Sequence, residues 1–215
     1  MTPEAAAAFV VRQTAIGRAP LVPELALHLA AEITPIWQAT EASLAREGVD
    51  PPYWAFAWPG GQALARFVLD DPAQVAGRRV LDLAAGGGIA AIAAARAGAA
   101  VTAAEIDPLA AAAIRANAAL NGVEVAVALG DPLDAPAEAE VILAGDVCYE
   151  ARMTARVVPW LRAAAGRGIA VLLADPGRAY LPRAGLAPVA RYEVAVTREL
   201  EDRTVRVTTV YRVLP

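Results

Sequence analysis

The stretch Val80-Leu81-Asp82-Leu83-Ala84-Ala85-Gly86-Gly87-Gly88-Ile89-Ala90-Ala91 decides the fold. An apolar run that ends beside an acid, then a loop of Ala and Gly only, then more apolar residues reads as strand, turn and helix. Small residues let the backbone lie close against a ligand, and the first turn of the helix offers it unpaired N–H groups. Glu105 closes the next apolar run, which begins at Ala100 and belongs to the neighbouring strand. A carboxylate there can accept both hydroxyls of a ribose. The turn is therefore expected to hold a nucleotide cofactor.

Outward from this turn, the chain after Arg79 alternates apolar strands with helical segments, the pattern of a parallel sheet covered on both faces. Strands are expected near Val80–Leu83, Ala100–Glu105, Val123–Ala128, Val141–Ala144 and Ile169–Ala174. Helices are expected near Ile89–Ala97, Leu109–Asn121 and Arg152–Ala165. Arg191–Leu200 and Thr204–Leu214 are β-branched, alternate in polarity and flank Glu201-Asp202-Arg203, which predicts a hairpin and an antiparallel closing strand. Upstream, the aromatic loop Tyr53-Trp54-Ala55-Phe56-Ala57-Trp58-Pro59-Gly60-Gly61 leads into a short helix holding Leu64, Phe67 and Val68. Residues from about Pro3 to Glu47 read as helices, one opened by Pro23 and running through Leu25, Leu27 and Leu29, another opened by Pro35. Gly48-Val49-Asp50-Pro51-Pro52 ends that segment. The chain thus divides into an N-terminal helical segment, 1–50, and a cofactor-binding domain, 51–215.

A length of 215 residues is enough for one full core. The formal charge of −4 speaks against a generic nucleic-acid binder, which would show a basic face. Cys148 stands alone and can form no internal disulfide, which suits a reducing cytoplasm. The N-terminus lacks the basic start and apolar core of a secretory signal, and no apolar stretch is long enough to span a bilayer. The 57% hydrophobic fraction is raised by alanine rather than by membrane segments. A soluble cytoplasmic protein is expected, with neither nucleic acid nor membrane as partner. One histidine and one cysteine supply no ligand set for structural zinc, and no metal is expected.

Five parallel strands closed by a hairpin resemble the seven-stranded, Rossmann-like sheet of class I methyltransferases. The turn also fits G-x-G-x-x-A at Gly86, Gly88 and Ala91, which leaves a nicotinamide-dependent dehydrogenase as an alternative. Three features favour the methyltransferase. Asp82 stands where a methionine ammonium could be anchored, helices precede the turn, and no separate substrate domain follows the sheet. The resemblance becomes specific in PPYWAFAWPGGQALARFVLD, Pro51 to Asp70, and in AGDVCYE, where Asp146-Val147-Cys148-Tyr149 gives an acid, two variable residues and a tyrosine. With the cofactor turn between them, these motifs resemble the family 16 S-adenosylmethionine-dependent protein methyltransferases. The likeness is strongest to members that methylate lysine in the electron transfer flavoprotein β subunit, bacterial relatives included.

That resemblance implies S-adenosylmethionine as cofactor, released as S-adenosylhomocysteine, and the flavoprotein β subunit as protein partner. It implies that Asp82 contacts the methionine end while Gly86, Gly87 and Gly88 let the backbone pass the ligand. Glu105 would take the ribose hydroxyls, Ile106 would pack on the adenine, and Asp131 would pair with the adenine amino group. Trp58, Gly60 and Gly61 would wall the cofactor. Asp146 and Tyr149 would be catalytic, the carboxylate orienting the target amine and the ring facing the cationic product. Each has a plainer alternative: the acids as turn or helix caps, the glycines as an ordinary tight turn, Tyr149 as a packed side chain. Trp54 and Phe56 are expected in the core, Asp107 as the cap of the helix opened by Pro108, Cys148 as inert packing, and His28 as a packed or surface residue. The family's D-x-G-x-G-x-G turn has Ala84 at its first glycine, and since alanine disfavours positive φ, ordinary backbone is expected there. A ribosomal protein or a small amine are the alternative acceptors. A nucleic-acid base is disfavoured, because AGDVCYE lacks the Asn/Asp-Pro-Pro-aromatic arrangement that holds a flipped base.

Overall fold

A computed structural model describes residues 1–30, 52–197 and 203–215. The helix expected from Pro35 and most of the linker from Gly48 lie outside the described residues. Helix α1 (Pro3–Gln13) starts at Thr2, whose hydroxyl accepts the Ala5 N–H. The helix expected through Leu25, Leu27 and Leu29 is instead a strand. Residues β1 (Ala15–Ala19) and β2 (Val22–Leu29) form an antiparallel hairpin. Leu25 and Leu27 alternate with more polar positions at the period of a strand, and both are buried against the same apolar cluster as the main sheet. Pro23 falls near the start of β2 and outside the paired register, where its missing N–H breaks no ladder bond.

The main sheet is laid down by β3 (Arg79–Leu83), β4 (Ala100–Glu105), β5 (Ala126–Leu129), β6 (Val141–Gly145), β7 (Ala170–Asp175), β8 (Leu186–Ala195) and β9 (Val205–Val213). Their spatial order is β5-β4-β3-β6-β7-β9-β8. The first five are parallel, and β9 runs antiparallel to both β7 and β8. The α/β architecture with a closing hairpin is thus the one the sequence predicts. Two strands differ in extent. Edge strand β5 begins at Ala126 rather than Val123, because β4 offers it partners only from Thr102 to Glu105. Strand β8 begins at Leu186 rather than Arg191, paired with the far end of β9 across an irregularity at Pro188, a position an edge strand tolerates.

Helices α2 (Pro59–Asp70), α3 (Ile89–Arg96), α4 (Pro108–Leu120) and α5 (Ala151–Gly166) complete the described elements that matter here. Helices α2 and α3 cover one face over Leu64, Ile92, Val101 and Leu143, while α5 covers the other over Ile142, Leu161 and Leu173. Burial on both faces explains the unbroken apolar run of β6. Strand order reverses between β3 and β6, and open α/β sheets bind ligands at such a switch point, beyond the carboxyl ends of the strands. Asp82 and Asp146 flank that crevice. Among the described residues no helix is long and apolar enough to cross a membrane.

Candidate functional site

The turn after β3 departs from its expected geometry at one residue. Ala84 adopts φ +53° rather than ordinary backbone. The chain must leave the sheet here while the Ala85 N–H still donates to Ala104 O at 3.3 Å, and a left-handed residue meets both demands. Alanine is a small L-residue but still strained there. Gly87 and Gly88 answer to packing: an added Cβ would come 2.7 Å from Trp54 O at Gly87 and 3.1 Å from Ile114 at Gly88. Gly88 also needs its φ of +80° to begin α3, and Gly86 holds φ +57°.

Asn117 of α4 fastens this turn and Asn121, the residue that ends the helix, fastens the hairpin; the sequence reading missed both. Buried Asn117 donates from Nδ2 to Gly87 O at 2.8 Å and accepts the His28 N–H at 2.7 Å. Asn121 accepts the Ala26 N–H at 3.0 Å and donates to Ala26 O at 2.7 Å. The N-terminal hairpin and the turn are therefore held by one helix. The available signal was a pair of asparagines four apart at the end of a mostly apolar helix. His28 packs within the hairpin, its Nδ1 3.0 Å from the Thr14 hydroxyl.

Beyond the strand ends lie two clefts that meet at Ala84. The wider, of about 320 Å³, is lined by Glu105, Ile106, Asp131, Leu133, Tyr149 and Arg156, among others. Glu105 accepts the Gly86 N–H at 2.6 Å and the Ile106 N–H at 3.0 Å. Burial raises its pKa, against the pull of those bonds. Ile106 is 71% exposed, an apolar face open to the cleft. Asp131 accepts the Leu133 N–H at 3.0 Å and pairs with Arg156 at 2.7 Å, and these contacts, the backbone one foremost, lower its pKa. Asp107 caps α4 through the Leu109 N–H at 2.7 Å.

The narrower cleft, of about 60 Å³, is lined by Trp58, Gly61, Asp82, Gly86, Ile89 and Asp146, among others. Asp82 is buried and accepts the Ala91 N–H at 2.8 Å, and burial pushes its pKa up to about 7. Asp146 follows β6 in left-handed backbone, φ +54°. Its carboxylate accepts the Gly60 N–H on one oxygen and meets Arg178 Nη2 at 3.1 Å with the other. Burial raises its pKa to about 6 although the Arg178 guanidinium opposes the shift. Arg178, which the sequence reading missed, sits in the loop after β7. There Asp175 accepts the N–H groups of Gly177 and Arg178 at 2.7 and 2.6 Å. Asp175, an acid closing the buried strand β7, was the signal that this loop matters.

Gly60 and Gly61 do not simply leave ligand space. A Cβ at Gly60 would lie 2.5 Å from Asp146 Oδ2 and 2.6 Å from Ala174 O, and one at Gly61 would lie 2.9 Å from Ile89. The first turn of α2 therefore rests directly on the ends of β6 and β7. Trp58 precedes α2, donates from Nε1 to Tyr53 O at 2.7 Å, and has its ring 5.9 Å from that of Tyr53. Tyr53 in turn lies 5.8 Å from the ring of Tyr149, which is 45% exposed. Tyr53 thus stands between Trp58 and Tyr149, while Trp54 and Phe56 are buried. Cys148 is buried too, and burial pushes its thiol up to about 12, which keeps it unreactive.

The family profile described as ribosomal protein L11 methyltransferase (PrmA) matches residues 63–148. The electron transfer flavoprotein β subunit lysine methyltransferase of Xenopus laevis is 37% identical over 96% of this chain and 86% of its own length. The protein of the same name from Danio rerio is 40% identical over 74% of this chain and 62% of its own length. Among solved structures, magnesium protoporphyrin IX methyltransferase from Synechocystis with bound S-adenosylhomocysteine shares the fold, with a TM-score of 0.52, 15% identity, and coverage of 72% of this chain and 81% of that one.

Proposed function

The chain belongs to the family of the electron transfer flavoprotein β subunit lysine methyltransferases, and we propose that it methylates lysine in the β subunit of that flavoprotein. The observation that carries this reading is identity of 37% sustained along 96% of the chain. The enzyme is an S-adenosylmethionine-dependent N-methyltransferase. When bound, S-adenosylmethionine supplies a methyl group on a sulfonium, and its displacement by an amine leaves S-adenosylhomocysteine.

The residues present fit that group. A hydrophobe as exposed as Ile106, beside the partly buried carboxylate of Glu105, suits an adenine face and a ribose edge. Asp82 supplies a buried carboxylate to the narrower cleft, suited to a methionine ammonium. Gly86 and Gly87 line the narrower cleft with it. Asp131, already engaged by Leu133 and Arg156, keeps lone pairs for an adenine amino group. Gly60, Gly61 and Gly88 act one step removed, by letting α2 and α3 lie against the site.

The acceptor amine must be uncharged, although a free lysine has a pKa near ~10.4. A path past Tyr53, Trp58 and Tyr149 penalises the ammonium form and favours its loss of a proton to water. The Asp146 carboxylate then accepts an amine N–H and orients the lone pair, and the Tyr149 ring faces the cationic product. Acceleration comes chiefly from positioning. Residues 51–215 form the catalytic unit in this reading, with β1 and β2 bracing the cofactor turn through Asn117.

Intact-mass spectrometry of electron transfer flavoprotein incubated with the enzyme and S-adenosylmethionine tests the proposal. Methylene-sized mass steps on the β subunit, absent without donor, are expected. An unchanged β subunit, with donor binding verified by calorimetry, rejects the substrate while leaving the reaction class standing.

A further inference from the structure

We propose that Arg178 is a positioning residue of the transfer site: its guanidinium holds the Asp146 carboxylate ionised and aimed, and leaves that carboxylate receptive to a neutral amine rather than an ammonium. The inference rests on the reading of Asp146 given above. Asp146 and Arg178 have side chains only 10% and 20% exposed and lie 3.1 Å apart. Asp146 is held further, its own N–H donating to Ala174 O at 3.0 Å and one oxygen accepting from Gly60. Arg178 is held in turn, because the Asp175 side chain fixes the backbone of its loop. Among the described residues, the groups facing Asp146 are Arg178 and Asp175 from the end of β7 and its loop, Cys148 from its own loop, and the Gly60 N–H of α2. Asp175 disfavours a charge on Asp146, and among the described residues Arg178 is the cation that sustains it.

The electrostatic consequence follows from that pairing. A lone buried carboxylate would attract the lysine ammonium strongly and fix the unreactive form. A carboxylate already neutralised by a guanidinium attracts a second cation weakly, yet its remaining lone pairs still accept an N–H from an uncharged amine. The pair thereby selects the form of the acceptor that can take a methyl group.

Arg178→Gln and Arg178→Lys test this in three measurements: transfer rate against pH, S-adenosylhomocysteine affinity by calorimetry, and melting temperature against pH. The acidic limb of the Arg178→Gln rate profile should move up by about one to three pH units, Arg178→Lys should bring it most of the way back, and inhibitor affinity should hold. A limb that stays in place, or a loss confined to inhibitor affinity, overturns the proposal. If the parent enzyme transfers no methyl group to the flavoprotein, the substrate reading fails and the melting data judge Arg178 separately. The guanidinium stabilises only ionised Asp146, so the melting gap between parent and Arg178→Gln should widen between about pH 5 and about pH 8, and vanish in an Asp146→Asn background. A gap independent of pH rejects the role.

Discussion

Glu105 and Asp131, in the wider cleft, each take a backbone N–H from within their own turn, from Ile106 and Leu133, beside longer-range partners in Gly86 and Arg156, whereas the Asp146 carboxylate, in the narrower cleft, is held by Gly60, 86 positions away, and by Arg178, 32 positions away. The difference separates two ways of placing an acid. A carboxylate fastened by its own turn keeps its position whenever that turn forms. One fastened by distant segments has its position, burial and charge set only when the whole sheet is assembled. Changes at the narrower cleft should therefore propagate, and changes at the wider one should stay local.

The sharpest way to break this comparison is Asp146→Asn. It removes the charge while keeping the shape, and misplacement of an acceptor by even a small distance can lower turnover by about 100-fold. Steady-state kinetics should show that loss with S-adenosylhomocysteine affinity preserved in calorimetry; an unimpaired kcat would remove Asp146 from the reaction. Next in size is Gly60→Ala. The added methyl would stand 2.5 to 2.7 Å from Asp146 and Ala174 atoms, and overpacking of that kind lowers stability by about 1–3 kcal/mol. Chemical denaturation reads it directly, and an unshifted midpoint would mean that α2 backs away freely.

Asp82 yields two opposed pH trends from one carboxyl group. Its folded pKa of about 7 lies above the ordinary 3.8, so the folded chain binds the extra proton between those values. Its contribution to the stability of the ligand-free protein is most favourable below the ordinary value and is lost as pH rises through about 7. Affinity for the cationic methionine end runs the other way, rising by up to about tenfold between about pH 6 and about pH 8 as the anion forms. Calorimetry and melting curves of Asp82→Asn should lose both trends; a variant that keeps them assigns the titration elsewhere. Ala84→Gly should stabilise the fold by about 1 kcal/mol, since it relieves positive φ, and a lower melting temperature would contradict that strain. The smallest effect belongs to the wider cleft. Arg156→Ala removes a half-exposed pair with Asp131 and should change stability by under about 1 kcal/mol; a larger shift in denaturant midpoint would show that this cleft, too, depends on distant support.

Legibility in the sequence follows the same division. The parallel strands read clearly because burial on both faces demands continuous apolar runs. Asp82 and Glu105 stood out as candidates because each lies at or beside the end of such a run. Asp107 was legible as a cap from the proline after it. The β2 hairpin was misread because a proline near a helical start and a proline near a strand start look alike, although Leu25, Leu27 and Leu29 already carried the period of a strand. Gly60 and Gly61 were read as part of the cofactor wall, and only the assembled fold shows that a Cβ at either would meet Asp146, Ala174 or Ile89. Arg178 gave no sign of its own, only that of Asp175 three positions before it at the end of β7.

By itself the sequence determined the alternation of strands and helices and, through its motifs, the methyltransferase family. Those follow from side-chain periodicity, turn chemistry and residue type, which act over a few positions of the chain. Only the tertiary structure decided that Ala84 stands in left-handed backbone, that Asn117 links the hairpin to Gly87, and that Arg178 faces Asp146. Each of these depends on segments that come within hydrogen-bond distance only once the sheet has closed, and no local rule of the chain encodes that distance.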